Sequence, residues 1–300
     1  MSHVRHSICA LIAFVLQGVA FAQEGVPALR VTAPNGSASV LIGSLHIAAE
    51  DLRQPSASVM EGTKRYVVEG VPERVQSALF TLAPEVLQGH AKRATWADPL
   101  TDDQVEELRR HVRCDSAIKE DPSKVVSVFL ALKSPALAAD LAARRCATPG
   151  LLSRDALLER AAAQHGLRPS PLESQEQANK QRMAVPDRIY QALLYGSFSR
   201  ESKESLLRTV RALNAGHYEE VTQALRALAP SPADADTFHE LMVANRNKTW
   251  MPVLTGYLDE GHAFVNVGSA HLPGPDGLIS LLRARGYKVE PTLLPVGPTH

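Results

Sequence analysis

Two copies of one short pattern lie at opposite ends of the chain and constrain any fold it can adopt. Residues 38–42 are mostly apolar and run into Gly43-Ser44-Leu45-His46, while residues 263–267, mostly apolar too, run into Gly268-Ser269-Ala270-His271. A helix-like stretch and a second short strand follow each copy, the strands at 66–69 and 287–290. Both connections exceed the dozen or so residues that a parallel crossover needs. The pattern predicts an α/β fold in which two pseudo-repeated β-GxxH-α-β units form a central sheet. Parallel strands with right-handed crossovers are the expected arrangement.

Between the units, residues from about 73 to 243 read as one long all-helical insert. Thr101 and Gln104 form a capping box ahead of Val105 and Leu108. Ser153 precedes Leu157, Leu158 and Ala162, and Gly166 stands where a helix stops. Pro186 opens a helix with Ile189, Leu193 and Leu194 on its apolar face; another spans 199–215 and ends at Gly216. At the amino end, strands over 28–32 and 38–42 flank Pro34-Asn35-Gly36-Ser37, a hairpin turn. At the carboxyl end, Asp276 is the expected N-cap of a helix carrying Leu278, Leu281 and Leu282, and Gly286 stops it. The tail from Pro291 reads as irregular. No short-period repeat is present.

The chain has 300 residues, 45% of them apolar, enough for a full core. Lys plus Arg and Asp plus Glu both number 32. With no basic surplus or polybasic tract, nucleic acid and charged membrane surfaces are not expected partners. Residues 1–22 carry Arg5, an apolar run over 8–15 and Ala20-Phe21-Ala22, the layout of a signal peptide cut after Ala22. The apolar run is shorter than the roughly 20 residues a membrane span needs. The mature domain, 23–300, is therefore expected in the periplasm or outside the cell, with no stable membrane insertion. Cys114 and Cys146 remain after cleavage, and an oxidising compartment makes them an expected disulfide.

In open α/β sheets, ligands bind at the carboxyl ends of strands. A glycine there allows a sharp turn or close approach to a ligand, which makes Gly43 and Gly268 candidate substrate contacts. A single histidine in such a turn would most simply cap it by bonding a backbone carbonyl. The matched pair, His46 and His271, points instead to a shared site. Glu69 shares its strand face with apolar Val67, so it is either buried with a partner or placed at the strand end facing a ligand. Glu290 shares its face with Lys288 and is expected in solvent. Two histidines and one carboxylate suit a divalent ion such as Zn²⁺, Mn²⁺ or Co²⁺. Arg246 and Asn247 precede the second unit; spacing alone reads Arg246 as a solvated helix charge. His90, His111, His165, His217, His239 and His262 have no ligand spacing, and no Walker A loop, nucleophile elbow or Rossmann fingerprint occurs.

These residues together resemble the TraB/GumN family, which includes the TIKI proteins and is related to the erythromycin esterases and ChaN-like proteins. The resemblance rests on residues 41–47, Glu69, Leu172-Glu173 followed by Gln177, Arg246-Asn247 with Trp250, and the long stretch 267–278 continuing through Arg285-Gly286-Tyr287. It covers nearly all of the mature chain. It implies a metal-dependent peptidase site, with Mn²⁺ or Co²⁺ favoured, in which His46, His271 and Glu69 are metal ligands or catalytic groups. It also implies catalytic or substrate-holding roles for Arg246 and Asn247, and a site-lining or helix-bridging role for Glu173. Where the family continues the strand glutamate as Glu-x-Asp, this chain has Glu69-Gly70-Val71.

The leading expectation is an exported metal-dependent hydrolase acting on a peptide or small-molecule substrate. The alternatives are an extracytoplasmic binding protein for haem or a saccharide, linked to envelope polysaccharide assembly, and a scaffold whose site is vestigial.

Overall fold

The computed structural model describes residues 25–70, 92–114, 118–144, 146, 148 and 150–297. The expected signal peptide, Val71, His90 and the start of the insert lie outside them. Among the described residues, no helix is long and apolar enough to cross a membrane.

The sheet has six strands: β1 (Val26–Thr32), β2 (Ala38–Ser44), β3 (Arg65–Val68), β4 (Pro169–Pro171), β5 (Ala263–Gly268) and β6 (Lys288–Leu294). Their order is β4-β3-β5-β2-β1-β6. The pairs β4/β3, β3/β5 and β5/β2 are parallel, whereas β1 runs antiparallel to both β2 and β6. The Asn-Gly turn joins β1 to β2 as expected, closed by Ala33 N to Ser37 O at 2.8 Å. β5 is buried along its whole length, which is why it is almost continuously apolar.

Alternation along the strands sends side chains to two cores. Leu41, Val67, Val265 and Val267 pack on one face with Trp250, Leu254, Leu278 and Leu282. Ile42, Tyr66 and Phe264 pack on the other with Leu158, Ala161 and Ala162. A third, helical core belongs to α1 (Asp102–Cys114), α2 (Pro122–Ala131), α3 (Ala136–Ala143) and α6 (Asp187–Ser197). The remaining helices are α4 (Arg154–Gln164), α5 (Gln175–Ala184), α7 (Arg200–Ala215), α8 (Tyr218–Arg226), α9 (Pro232–His239), α10 (Asn245–Glu260) and α11 (Leu278–Arg283). The expected disulfide is present: Cys114 and Cys146, Cα atoms 5.3 Å apart, tie the end of α1 to the chain beyond α3.

The pseudo-repeat is not reproduced in detail. Both units do run parallel strand to parallel strand. However, one strand lies between β2 and β3, and two lie between β5 and β6. No α-helix follows His46. Residues 45–56 are irregular, Asp51 has φ 63°, and only a 3₁₀ turn forms at Ala57–Met60. The backbone there bonds distant partners instead of itself. Asn214 takes Arg53 N and Asp51 O, Arg154 takes Arg53 O, and Gly297 N takes Gln54 O.

Three further expectations are corrected. The insert is not all helix, because β4 adds to the sheet edge beside β3. The tail from Pro291 is not irregular: β6 continues to Leu294, and as an edge strand it tolerates a proline that lacks a donor. Asp276 is not the N-cap of α11. Gly277 holds that position, and the Asp276 carboxylate pairs with Lys248 at 3.2 Å.

Candidate functional site

The carboxyl ends of four adjacent parallel strands meet along one edge. Ser44 lies opposite Gly268, and Val68 opposite Asn266. Two residues beyond β2 stands His46, directly after β3 comes Glu69, and the 3₁₀ turn Ser269–His271 follows β5. Beyond β4, Glu173 N bonds Glu69 O at 3.0 Å. A single π turn over Glu240–Ala244 leads into α10, whose first turn delivers Arg246 and Asn247 to the same edge.

Glu69 is the hub. Its Oε1 accepts from Gly268 N at 2.5 Å and faces His46 Nε2 at 3.5 Å and His271 Nε2 at 3.7 Å. Its Oε2 accepts from Arg246 NH2 at 2.8 Å. A Cβ on Gly268 would lie 2.8 Å from His46 Nε2 and 2.9 Å from Glu69 Oε1, so only glycine lets the strand end approach this closely.

His46 and His271 differ in environment. The His271 ring is buried, stacks on Trp250 with centroids 4.4 Å apart, and meets Asn247 Oδ1 through Nδ1 at 2.7 Å. Asn247 Nδ2 donates to the carbonyls of His271 and Asp276, which fixes its amide orientation. Its Oδ1 must then accept, so His271 carries its proton on Nδ1 and turns a lone pair on Nε2 toward Glu69. Burial, above all, pushes the His271 pKa down to about 3 against the pull of Glu69, and the ring is neutral at physiological pH. The His46 side chain is 61% accessible, and its Nδ1 donates to Asp155 Oδ2 at 3.2 Å. Its recessed position opposes charge, but Glu69 and Asp155 outweigh that and hold His46 well above the ordinary imidazole value. Burial would raise the Glu69 carboxyl; the two imidazoles and Arg246 overcome it and hold the group well below the usual carboxylate range. With His271 neutral, the charges acting on Glu69 near pH 7 are His46 and Arg246.

Arg246 departs from its bland reading as a solvated helix charge, its side chain being 11% accessible. Its Nε donates to Glu173, NH1 to Met242 O at 3.2 Å and His271 Nε2 at 3.3 Å, and NH2 to Glu69 and Glu173. All five N–H groups are thus engaged within the chain. Glu173 is buried and also accepts from Trp250 Nε1 at 3.0 Å. Asn247 is fully buried. The polar atoms of all three therefore bond partners within the chain. A Cβ on Gly43 would meet Leu272, Ser269 and Tyr218 at 3.0 Å, and its carbonyl accepts from Arg154.

Sequence reading missed Asp155 and Asn266. Asp155 sits in the first turn of α4, where an acid serves the helix dipole, and nothing in its neighbourhood marks it as the partner of His46. Asn266 Nδ2 fixes Asp155 Oδ1 at 2.8 Å. A second carboxylate therefore does reach the site, from position 155 and not from 71. Among the other histidines, His111 is buried against Leu141 O and Glu107, His262 is exposed, and His239 lines the cavity described next. Glu290 pairs with Lys288 at the surface.

A cavity of about 520 Å³ opens over these strand ends, with His46, Glu69, Arg246 and His271 in its wall. The profile of the TraB/PrgY/gumN family matches residues 28–291, from β1 through β6. The chain belongs to that family. The matched span includes every residue of the TraB/PrgY/gumN site just described. No curated protein and no solved structure matches the chain.

The donor types implied for a metal are two imidazoles and a carboxylate. Yet Arg246 already covers Glu69 Oε2 and the His271 Nε2 lone pair. Among the described residues, no three His, Cys, Asp or Glu side chains are arranged to hold a metal ion. As built, the site does not fit a resident metal.

Proposed function

We propose that the protein is a hydrolase that adds water to a carbonyl carbon, with His46 as its acid–base group. One observation carries this reading. His46 is accessible to the cavity, Asp155 orients it through Nδ1, and its Nε2 faces Glu69. An imidazole oriented by a carboxylate is the recurrent means of moving a proton during acyl transfer. In its neutral form His46 Nε2 takes a proton from water as the oxygen bonds to the carbonyl carbon. The same nitrogen then protonates the leaving oxygen or nitrogen as its bond to carbon breaks, giving an acid and an alcohol or amine. Glu69, fixed by Gly268 N and Arg246, stabilises the imidazolium between the two transfers. His271 and Arg246 close the back of the site. The metal-dependent version of this activity is not adopted, because Arg246 covers Glu69 Oε2 and His271 Nε2, two of the atoms that would hold a cation.

Export is proposed as well. The pattern of residues 1–22 and the Cys114–Cys146 disulfide both suit an oxidising compartment.

The test is turnover of activated esters and anilides by the purified full-length protein, with and without a chelator. Wild type should be active and insensitive to chelation, and His46→Ala should lose about 10²-fold or more of kcat/KM. Equal rates for wild type and His46→Ala would remove the assignment. Activity seen only after adding Mn²⁺, Co²⁺ or Zn²⁺ would restore the metal-dependent one. Absence of any turnover alongside tight haem or saccharide binding would favour a binding protein.

A further inference from the structure

The strand ends supply His46, Glu69 and His271 to the cavity, while helices supply most of the remaining wall. Its walls draw on the helical core through Ile189, on the sheet core through Val221, and on small residues such as Ala136, Ala139 and Ala178. Leu193, Leu206, Phe238 and Met242 line it while remaining only partly buried, and Leu225 stays 42% exposed. Apolar surface left uncovered in a concave wall marks a ligand site.

Most polar side chains along those helices are already used, with Thr209 and His239 also lining the cavity. Ser197 Oγ donates to Leu194 O, Ser205 Oγ to Ala224 O, and Tyr190 OH to Arg182 O. Asp140 pairs with Arg144, Arg226 with Asp236, and Arg182 bonds Asn179. Thr222 keeps one buried hydroxyl without a partner. A peptide lying here would bring an N–H and a C=O at each residue, and each left unbonded would be costly. A saccharide would bring a ring of hydroxyls with the same need. An unbranched hydrocarbon chain brings none, and every methylene that leaves water is favourable.

We propose that the cavity takes a long unbranched acyl chain and that the substrate is a fatty-acyl ester or amide, its carbonyl at His46 and its chain along the helical walls. The assignment of a hydrolytic site is its starting point, but chain binding and chain cleavage are separable. Water cleaves the acyl–oxygen or acyl–nitrogen bond, leaving the fatty acid in the cavity and a protonated leaving group.

The experiment pairs a binding and a kinetic readout on the full-length protein. Dansylaminoundecanoic acid is titrated by fluorescence and displaced with dodecanoate, butanoate or an apolar octapeptide. The p-nitrophenyl esters of butanoate and dodecanoate are assayed with wild type, Leu225→Arg, Ala178→Phe and the surface control Met183→Lys. Leu225 and Ala178 lie at partly exposed wall positions, where substitution spares the cores. The probe should bind and yield to dodecanoate but not to butanoate. The dodecanoyl-to-butanoyl ratio of kcat/KM should be about tenfold or more in wild type and the control, and fall toward unity in both wall variants. A probe that fails to bind, a ratio near unity in wild type, or displacement by the peptide as effective as by dodecanoate would overturn the proposal. If dodecanoate displaces the probe but neither ester turns over, the acyl site stands and the hydrolytic assignment falls. If both esters turn over equally without probe binding, the reverse holds.

Discussion

Glu69, His46 and Asp155 form a chain of charge in which each member sets the state of the next. Glu69 helps raise His46, so removing that carboxylate should release the imidazole proton more readily. The working form of His46 as a base is neutral. Rates in the wild type should therefore climb through the alkaline side of neutrality instead of levelling near pH 6.5, the ordinary imidazole value. Glu69→Gln should move that rise to lower pH, visible in a kcat/KM–pH profile; an unmoved midpoint would show that Glu69 does not govern His46. Asn247 makes the opposite kind of contribution, wholly internal. It fixes the His271 tautomer and bonds two carbonyls while fully buried. Asn247→Ala leaves those groups without partners and should cost about 1–3 kcal/mol in denaturant unfolding.

At the level of elements, short irregular connections carry the two histidines of the proposed site and long regular ones hold them in place. The loop after β2 and the 3₁₀ turn after β5 each carry one histidine, while α4 supplies Asp155 and Arg154 side by side to reach both His46 and the Gly43 carbonyl. The expected helix after His46 is absent because its backbone groups find long-range partners, a fact no local pattern encodes. Glu173 reaches the site because β4, three residues long, docks beside β3. So short a strand has no periodicity to read. The Cys114–Cys146 bridge was legible from compartment and count. Its position suggests a local role: it closes 32 residues around α2 and α3, and α3 supplies part of the cavity wall. Reducing it or substituting both cysteines by serine should cost about 2–4 kcal/mol in unfolding experiments. An unchanged midpoint under reductant would mean that α1, α2 and α3 hold together through packing alone.

For the whole molecule, pH enters stability through buried histidines, His271 at the site and His111 remote from it. His111 is buried in the helical core, and burial holds it below its ordinary value despite bonds to Leu141 O and Glu107. Its folded pKa is the lower one, so the unfolded chain binds the proton first. The stability contributed by neutral His111 is present above about pH 6.5 and is lost as pH falls below it. Thermal midpoints should drop on mild acidification, and less so in His111→Gln. Equal acid sensitivity in both proteins would assign the effect to other groups.

The sequence by itself determined which strands and turns bear the residues of the proposed site. Apolar runs ending in Gly-Ser-x-His, and a glutamate closing a β-branched strand, are local patterns that reflect burial on both faces and a need for close backbone approach. Only the tertiary structure decided how those pieces are used. Threading β5 between β2 and β3 brings His46, Glu69 and His271 together. Folding α10 back over the strand ends turns Arg246 into an internal clamp, and setting α4 beneath them makes Asp155 the partner of His46. Such contacts depend on the order of strands across the sheet, and that order is set by packing between segments more than a hundred residues apart.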